Sequence, residues 1–250
     1  MSGNEWESHW SDFYEASQVN PAGAFRLRLL VHWLDRTVRP ASRFLDLGSG
    51  VGDLVSAACA RYPGASVRGI ELSATGVDIA RRRAPSAELL QRDLTEPDEP
   101  PPSWSNWADV AVCSEVLEHV DDPLLLLSNA KRFLAPACRV FVTVPGGPMS
   151  EFDRHIGHRR HYSRQDLGAL LEDAGFRVEQ CDAVGLPAFN LYRLMVIARG
   201  RKLVRDAAAG QTASGSLARV AGKAFDAMFR LNPPLRRGGW QITASASIAS

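Results

Sequence analysis

The sequence has little of what usually settles a protein's class at a glance. It holds only four cysteines (Cys59, Cys113, Cys138 and Cys181), far apart and without a C-x-x-C pair, so neither a zinc cluster nor a disulfide framework is expected. No apolar run approaches the ~18 residues that a membrane span requires, and Leu124 to Leu127 reads as a core helix. The opening MSGNEWESHW lacks the basic-then-apolar plan of a secretory signal, which makes the cytoplasm the expected location. No charge of one sign dominates, the formal net charge being +1. Hydrophobic residues at 45% and charged residues at 23% leave enough apolar material for a real core and exclude wholesale disorder. There is no internal repeat.

The charge is nonetheless unevenly spread. From Leu186 to Ser250 eight arginines and two lysines stand against Asp206 and Asp226, a surplus of +8 that leaves the first 185 residues at −7. Such asymmetry points the C-terminal part at something anionic, or marks a solvated basic face on a helical appendage.

Strands and helices alternate through the first two-thirds of the chain. The aromatics Trp6, Trp10, Phe13 and Tyr14 are spaced for a helix, Asn20-Pro21 interrupts it, and Phe25 to Leu34 resumes as a second helix. Strands are expected at Arg43–Leu47, Ser66–Leu72, Glu88–Gln91, Ala108–Cys113 and Arg139–Val144, with helices after the first, second and fourth. Glu151 to Tyr162 reads as a polar loop dense in His and Arg. Ser163 with Asp166 forms a capping box that opens a helix ending at Ala174-Gly175. Phe176–Val184 and Trp240–Ile248 supply two more strands. The expected fold is α/β, a Rossmann-like, doubly wound seven-stranded sheet, mostly parallel with its last strand antiparallel, carrying N-terminal helices and a helical insertion between strands 6 and 7. The chain divides accordingly into an N-terminal helical cap (1–40), an α/β core (41–185), the insertion (186–238) and a closing strand (239–250). The binding crevice belongs at the carboxyl ends of the strands.

Three of those ends carry compatible groups. In FLDLGSGVGD, a strand delivers Asp46, and Gly48, Gly50 and Gly52 follow at alternate positions, where glycine lets a ligand approach main-chain amides. The G-x-G-x-G spacing differs from the G-x-G-x-x-G of dinucleotide folds, which disfavours a nicotinamide-dependent oxidoreductase. Glu71, ending the next strand, suits a ribose diol, and Asp93, after the third, suits an exocyclic amine. Together they describe a pocket for an adenosine borne by something other than a pyrophosphate.

In these segments the chain resembles the class I S-adenosylmethionine-dependent methyltransferases, over roughly Phe44 to Val184 plus the closing strand. LDLGSGVGD resembles the family's first motif, GIELS its ribose-binding motif, QRDL its adenine-binding motif, CSEVLEHVDDP the segment after the fourth strand, and LLEDAGFRVE the late helix–strand signature. The resemblance implies S-adenosyl-L-methionine as cofactor. Asp46 and Ser49 belong to the binding turn, with Gly48 and Gly50 facing the methionine part, Glu71 the ribose, Leu72 packed on adenine, Asp93 and Leu94 at its amine edge, and Ser114 beside the methionine moiety. Tyr14 and Arg26 match a Tyr and an Arg that close over the cofactor carboxylate in related small-molecule enzymes.

SEVLEHV is most similar to ubiquinone-type and natural-product tailoring O-methyltransferases, which implies methyl transfer to a small-molecule acceptor, first of all a hydroxyl; the alternatives are carbon or nitrogen as acceptor atom, or a cofactor-binding regulatory or scaffolding protein without catalysis. A hydroxyl must lose its proton, and histidine suits that work. His158 of FDRHIGHRRHYS is the preferred base, His155 the second, and Tyr162 completes a G-H-x-R-x-Y pattern found in small-molecule relatives; Arg159 and Arg160 suit an anionic substrate group. Glu115, Glu118 and His119 stand at i, i+3 and i+4, which a helix would put on one face. Some ubiquinone-type relatives use this run for a divalent ion, and the donors suit Mg or Mn, but the same residues also anchor helices and a metal is not expected. The insertion contains LYRLMVIARGRKLVR, a basic amphipathic segment that suits a roof over the acceptor, a peripheral contact with an anionic lipid surface, or a homodimer packed through Leu194, Val196, Ile197 and Leu203. Nucleic acid is not an expected partner, since the basic stretch lacks interleaved stacking aromatics.

Overall fold

The computed structural model describes Glu7, residues 20–208, Phe225, residues 227–229 and residues 235–248. Its elements run α1 (Pro21–Thr37), β1 (Arg43–Leu47), α2 (Asp53–Arg61), β2 (Ser66–Glu71), α3 (Ala74–Arg83), β3 (Glu88–Gln91), β4 (Ala108–Ser114), α4 (Pro123–Ala130), β5 (Leu134–Pro145), α5 (Glu151–His155), α6 (Arg164–Asp173), β6 (Phe176–Val184), α7 (Ala188–Ala198), α8 (Gly200–Ala208) and β7 (Gln241–Ile248). The seven strands form one sheet in the order β3-β2-β1-β4-β5-β7-β6. All neighbours pair in parallel except β7, which inserts antiparallel between β5 and β6. The order reverses between β1 and β4, so a crevice opens over the ends of those strands.

Alternation along the strands explains the two layers. Leu45, Leu47, Ala111 and Cys113 belong to one buried cluster with α4 and α6, whereas Phe44, Val110 and Val112 belong to another with Leu30 and Leu34 of α1 and Leu54 and Val55 of α2. A third cluster joins Phe25 of α1 to Ala188 and Phe189 of α7 and to Phe229, with the Phe25 and Phe189 rings 4.9 Å apart. The insertion is thus bound to the N-terminal helix by aromatic packing. No helix among the described residues is long and apolar enough to cross a membrane.

Capping follows the sequence closely. Asn20 accepts from Ala22 N at the start of α1, where Pro21 supplies a fixed φ and no unmet N–H. The Ser163–Asp166 capping box opens α6 with both of its bonds made. Two expectations change. Glu151–Tyr162 is not wholly loop, because Ser150 and Asp153 form a second capping box and start the short α5. Glu115–His119 is a turn rather than a helix, with Glu115 at φ +57°. Of the helix expected over Trp6–Tyr14 only Glu7 is among the described residues, and Tyr14 lies outside them.

Candidate functional site

The β1–α2 turn is built by the glycines. Gly48, Gly50 and Gly52 have φ of +73°, +53° and +78°, a region that L side chains enter only with strain. A Cβ on Gly48 would come 2.4 Å from a methyl of Val116, and one on Gly52 would come 2.7 Å from the Cβ of Ala80. The amides of Gly48 and Ser49 both donate to Ile70 O, at 2.8 and 2.9 Å, which pins the turn to β2. Glu71 then links turn and helix: one carboxylate oxygen accepts from Gly50 N at 2.8 Å, the other from Ser73 N at 3.0 Å. Glu7, a residue that no motif singled out, folds over the start of α3 and accepts from Ala74 N and Thr75 N at 2.6 and 2.9 Å.

Asp46 lies beneath this turn with 4% of its surface exposed. Burial, then the negative charges of Glu71 and Asp53, push its carboxyl up to about 8. No ion pair to Asp46 occurs among the described residues. A buried acid among acids, under a glycine cradle, calls for a cationic ligand, since a cation there would favour the ionised form. S-adenosylmethionine carries a sulfonium and an ammonium, so the residues present fit it. Asp93 sits beside β3 and receives the Thr95 amide and hydroxyl on one oxygen, at 2.8 and 2.6 Å. Leu72 is half-buried, while the Leu94 side chain packs in the core and its carbonyl accepts from Asn129 Nδ2 at 3.0 Å.

On the other side of the crevice, the ends of β4 and β5 hold a polar network. Ser114 Oγ meets Thr143 Oγ1 at 2.8 Å. Glu115 receives Gln241 Nε2 at 2.8 Å and Thr143 Oγ1 at 3.2 Å on one oxygen, and Arg26 approaches the other at 3.5 Å. Arg26 is therefore carried to the strand ends. Because the Glu115–His119 segment is a turn, Glu115 points into this network, and it is His158 that joins Glu118 and His119, one ligand atom of each lying within 4.8 Å of the others. Glu118 is fully buried, and neither of its carboxyl oxygens has a hydrogen-bond partner among the described residues. Burial, then Glu115, raise its pKa well above the carboxylate range.

The histidines form a chain. His158 Nδ1 lies 3.2 Å from His161 Nε2, and His161 Nδ1 lies 3.0 Å from Gly147 O. A carbonyl only accepts, so His161 carries its proton on Nδ1, its Nε2 accepts from His158 Nδ1–H, and the lone pair of neutral His158 sits on Nε2. The His119 and His158 rings meet edge-on with centroids 4.7 Å apart. Burial, then the neighbouring His119, keep His158 neutral far below the usual imidazole range, and burial lowers His161 as well. Asp153 is buried too, gripped by both Arg193 nitrogens at 2.9 and 2.8 Å, with one oxygen 3.9 Å from His161 Nε2.

Three expected roles change here. Tyr162 is buried and its hydroxyl donates to Leu117 O at 3.0 Å, so it braces the Glu115–His119 turn instead of facing a substrate. Arg159 and Arg160 donate to the carbonyls of His119 and Asp121, at 2.9 and 2.8 Å, and hold the same turn. His155 is exposed at the end of α5, and no hydrogen bond or ion pair among the described residues joins it to the cluster. Gln241, Thr143 and Arg193 had no local signal, because each reaches the site only through the fold. Asp153 did have one, the S-x-x-D of its capping box.

A family model described as a methyltransferase domain matches residues 22–181. The chain is similar to the ubiquinone biosynthesis O-methyltransferase of Pseudomonas paraeruginosa, 28% identical over 211 residues that cover 76% of this chain and 86% of the relative. Among solved structures, a putative methyltransferase of Haloferax volcanii in complex with the activator Trm112 matches at a TM-score of 0.63 and 17% identity, covering 98% of both chains. Phosphoethanolamine N-methyltransferase 2 of Haemonchus contortus, in complex with S-adenosyl-L-methionine, matches at 0.60 and 16% identity over 98% of this chain, which spans 60% of that protein. At these identities the structural matches establish a common fold.

Proposed function

The chain belongs to the class I S-adenosylmethionine-dependent methyltransferases, and from that premise we propose that it methylates a hydroxyl of a small-molecule acceptor seated beside His119 and His158. The cofactor supplies a methyl group already activated on sulfur, so displacement releases a neutral thioether and the protein has mainly to align the two reactants. Within that reading, Glu71 accepts from the ribose hydroxyls, Asp93 and the Leu94 backbone meet adenine, and Gly48, Ser49 and Gly50 line the methionine tail. Asp46 answers the positive charge, Arg26 the tail carboxylate, and Ser114 lies alongside. Residues 1–40, 41–185, 186–238 and 239–250 serve as cap, core, insertion and closing strand.

The observation that carries the hydroxyl reading is the histidine chain. Gly147 O fixes His161, His161 fixes His158, and the His158 Nε2 lone pair is thereby set to receive an acceptor's proton. A neutral imidazole takes a proton more readily from an acidic hydroxyl, such as a phenol at pKa ~10, than from an aliphatic alcohol. Similarity to the Pseudomonas O-methyltransferase of ubiquinone biosynthesis supports the same acceptor class. Glu118, His119 and His158 are the residues that would hold a divalent ion.

With a phenolic acceptor, His158→Gln is expected to lower turnover at least tenfold, about 1.4 kcal/mol, with S-adenosylhomocysteine affinity unchanged by calorimetry. Unchanged turnover would remove His158 from the chemistry.

A further inference from the structure

The outward face of α7 is apolar where a surface helix is normally polar. Phe189, Tyr192 and Arg193 turn inward to the aromatic cluster and to Asp153. Leu191, Leu194 and Met195 point outward with 49%, 50% and 42% of their surface exposed. Ala198 continues that row at the helical spacing and lines a groove of about 550 Å³ between α5 and the α7–α8 corner. Five cations border the groove, Arg154, Arg199, Arg201, Lys202 and Arg205, against the single carboxylate of Glu151, which pairs with Arg201 at 3.1 Å.

We propose that this face docks the protein on an anionic lipid bilayer, the α7 row entering the acyl boundary and the groove cations meeting lipid phosphates. An aliphatic row that ends in long basic side chains is the arrangement that binds such an interface, since the stems lie along apolar surface while the charges reach the headgroups. A second copy of the chain is a poorer occupant, because a twofold contact would press the same cations together. Nucleic acid is poorer still, for the row offers no aromatic ring to stack on a base. The opposite face of α7 carries Arg193 to Asp153, beside His161, so docking would bring the acceptor side of the crevice to the membrane surface.

Flotation with vesicles of phosphatidylcholine, with and without one-quarter phosphatidylglycerol, tests this. Wild type is expected to bind the anionic vesicles at least tenfold more tightly than the neutral ones, with the preference falling as salt rises. Each basic residue near an anionic leaflet strengthens binding about fivefold. Replacing Arg199, Arg201, Lys202 and Arg205 by Gln is therefore expected to abolish the preference, and Leu191→Ser with Leu194→Ser to weaken binding to both vesicle types. Cofactor affinity and the thermal transition, measured alongside, should stay unchanged and so separate lost docking from lost folding. Equal binding of the two vesicle types by wild type would overturn the proposal. So would a serine variant that halves the mass in light scattering while binding vesicles as before, since the row would then be a dimer contact.

Discussion

The two sides of the crevice are built in different ways. The side proposed to hold the cofactor comes mainly from one stretch, Asp46 to Leu94, in which Glu71 ends β2 and accepts from the amides of Gly50 and Ser73, while the Gly48 and Ser49 amides bond back to β2. The side proposed to hold the acceptor draws on the β4 turn, the loop after β5, the insertion and the closing strand, held by bonds such as Gln241 to Glu115 and Arg193 to Asp153. A ligand common to a whole family can be met by local geometry. A variable one needs parts that can be exchanged, and those come from distant, replaceable segments.

If that contrast is right, the acceptor side should fail through a single remote residue. Asp153 is 1% exposed. Burial by itself would raise its pKa, but the hydrogen bonds and charge of Arg193 outweigh this and hold it at about 2. A depressed carboxyl contributes stability above its unfolded pKa of ~3.9, and that contribution is lost as pH falls toward 2. Arg193→Met leaves a buried carboxylate without its partner, so urea denaturation at pH 7 should show a loss of about 3–5 kcal/mol. The acid-side decline below pH 4 should flatten, and turnover should fall because α7 is no longer tied beside His161. Adding Asp153→Asn should recover most of the stability. Full stability and turnover in Arg193→Met would break the contrast.

On the cofactor side the weak point is the backbone. Gly52→Ala places a Cβ at φ +78°, 2.7 Å from the Ala80 Cβ and 3.0 Å from its Cα, where α3 cannot give way cheaply. Left-handed strain of about 1–2 kcal/mol, with overpacking of similar size, predicts a loss of roughly 3 kcal/mol in thermal denaturation and a parallel loss of cofactor affinity. Unaltered affinity at a lowered melting temperature would mean that the turn supports the fold without shaping the cradle.

The same division governs what could be read in the sequence. β1, β3 and β6 have the boundaries expected of them, since apolar runs bounded by Gly, Pro and Asp are local signals. The Ser163–Asp166 box was equally legible. The E-x-x-E-H run misled, because its spacing predicts a shared helix face only where there is a helix; positive φ at Glu115 and the three side chains bracing the turn were not visible in it. His158 was found as a member of a motif. Its neutrality and its tautomer depend on Gly147, His161 and His119, which only the fold brings together.

Asp46 gives an effect of opposite sign. Its folded-state pKa of about 8 lies above the unfolded ~3.9, so the empty protein retains a proton that the unfolded chain releases, and stability declines as pH rises between those values. At about 1.4 kcal/mol per unit over the roughly three units from 3.9 to pH 7, Asp46→Asn, which cannot ionise, should stabilise the unliganded protein by up to about 4 kcal/mol. It should also weaken cofactor binding, since the carboxylate that answers the positive charge is gone, and remove the rise in wild-type affinity expected as pH approaches 8. Calorimetry with S-adenosylmethionine and the neutral thioether product separates the contributions, because only the sulfonium compound should lose the charge-dependent part tied to sulfur. A variant no more stable than wild type would mean that Asp46 is ionised without ligand, and the cofactor side would then owe its affinity to its amides and Glu71 alone.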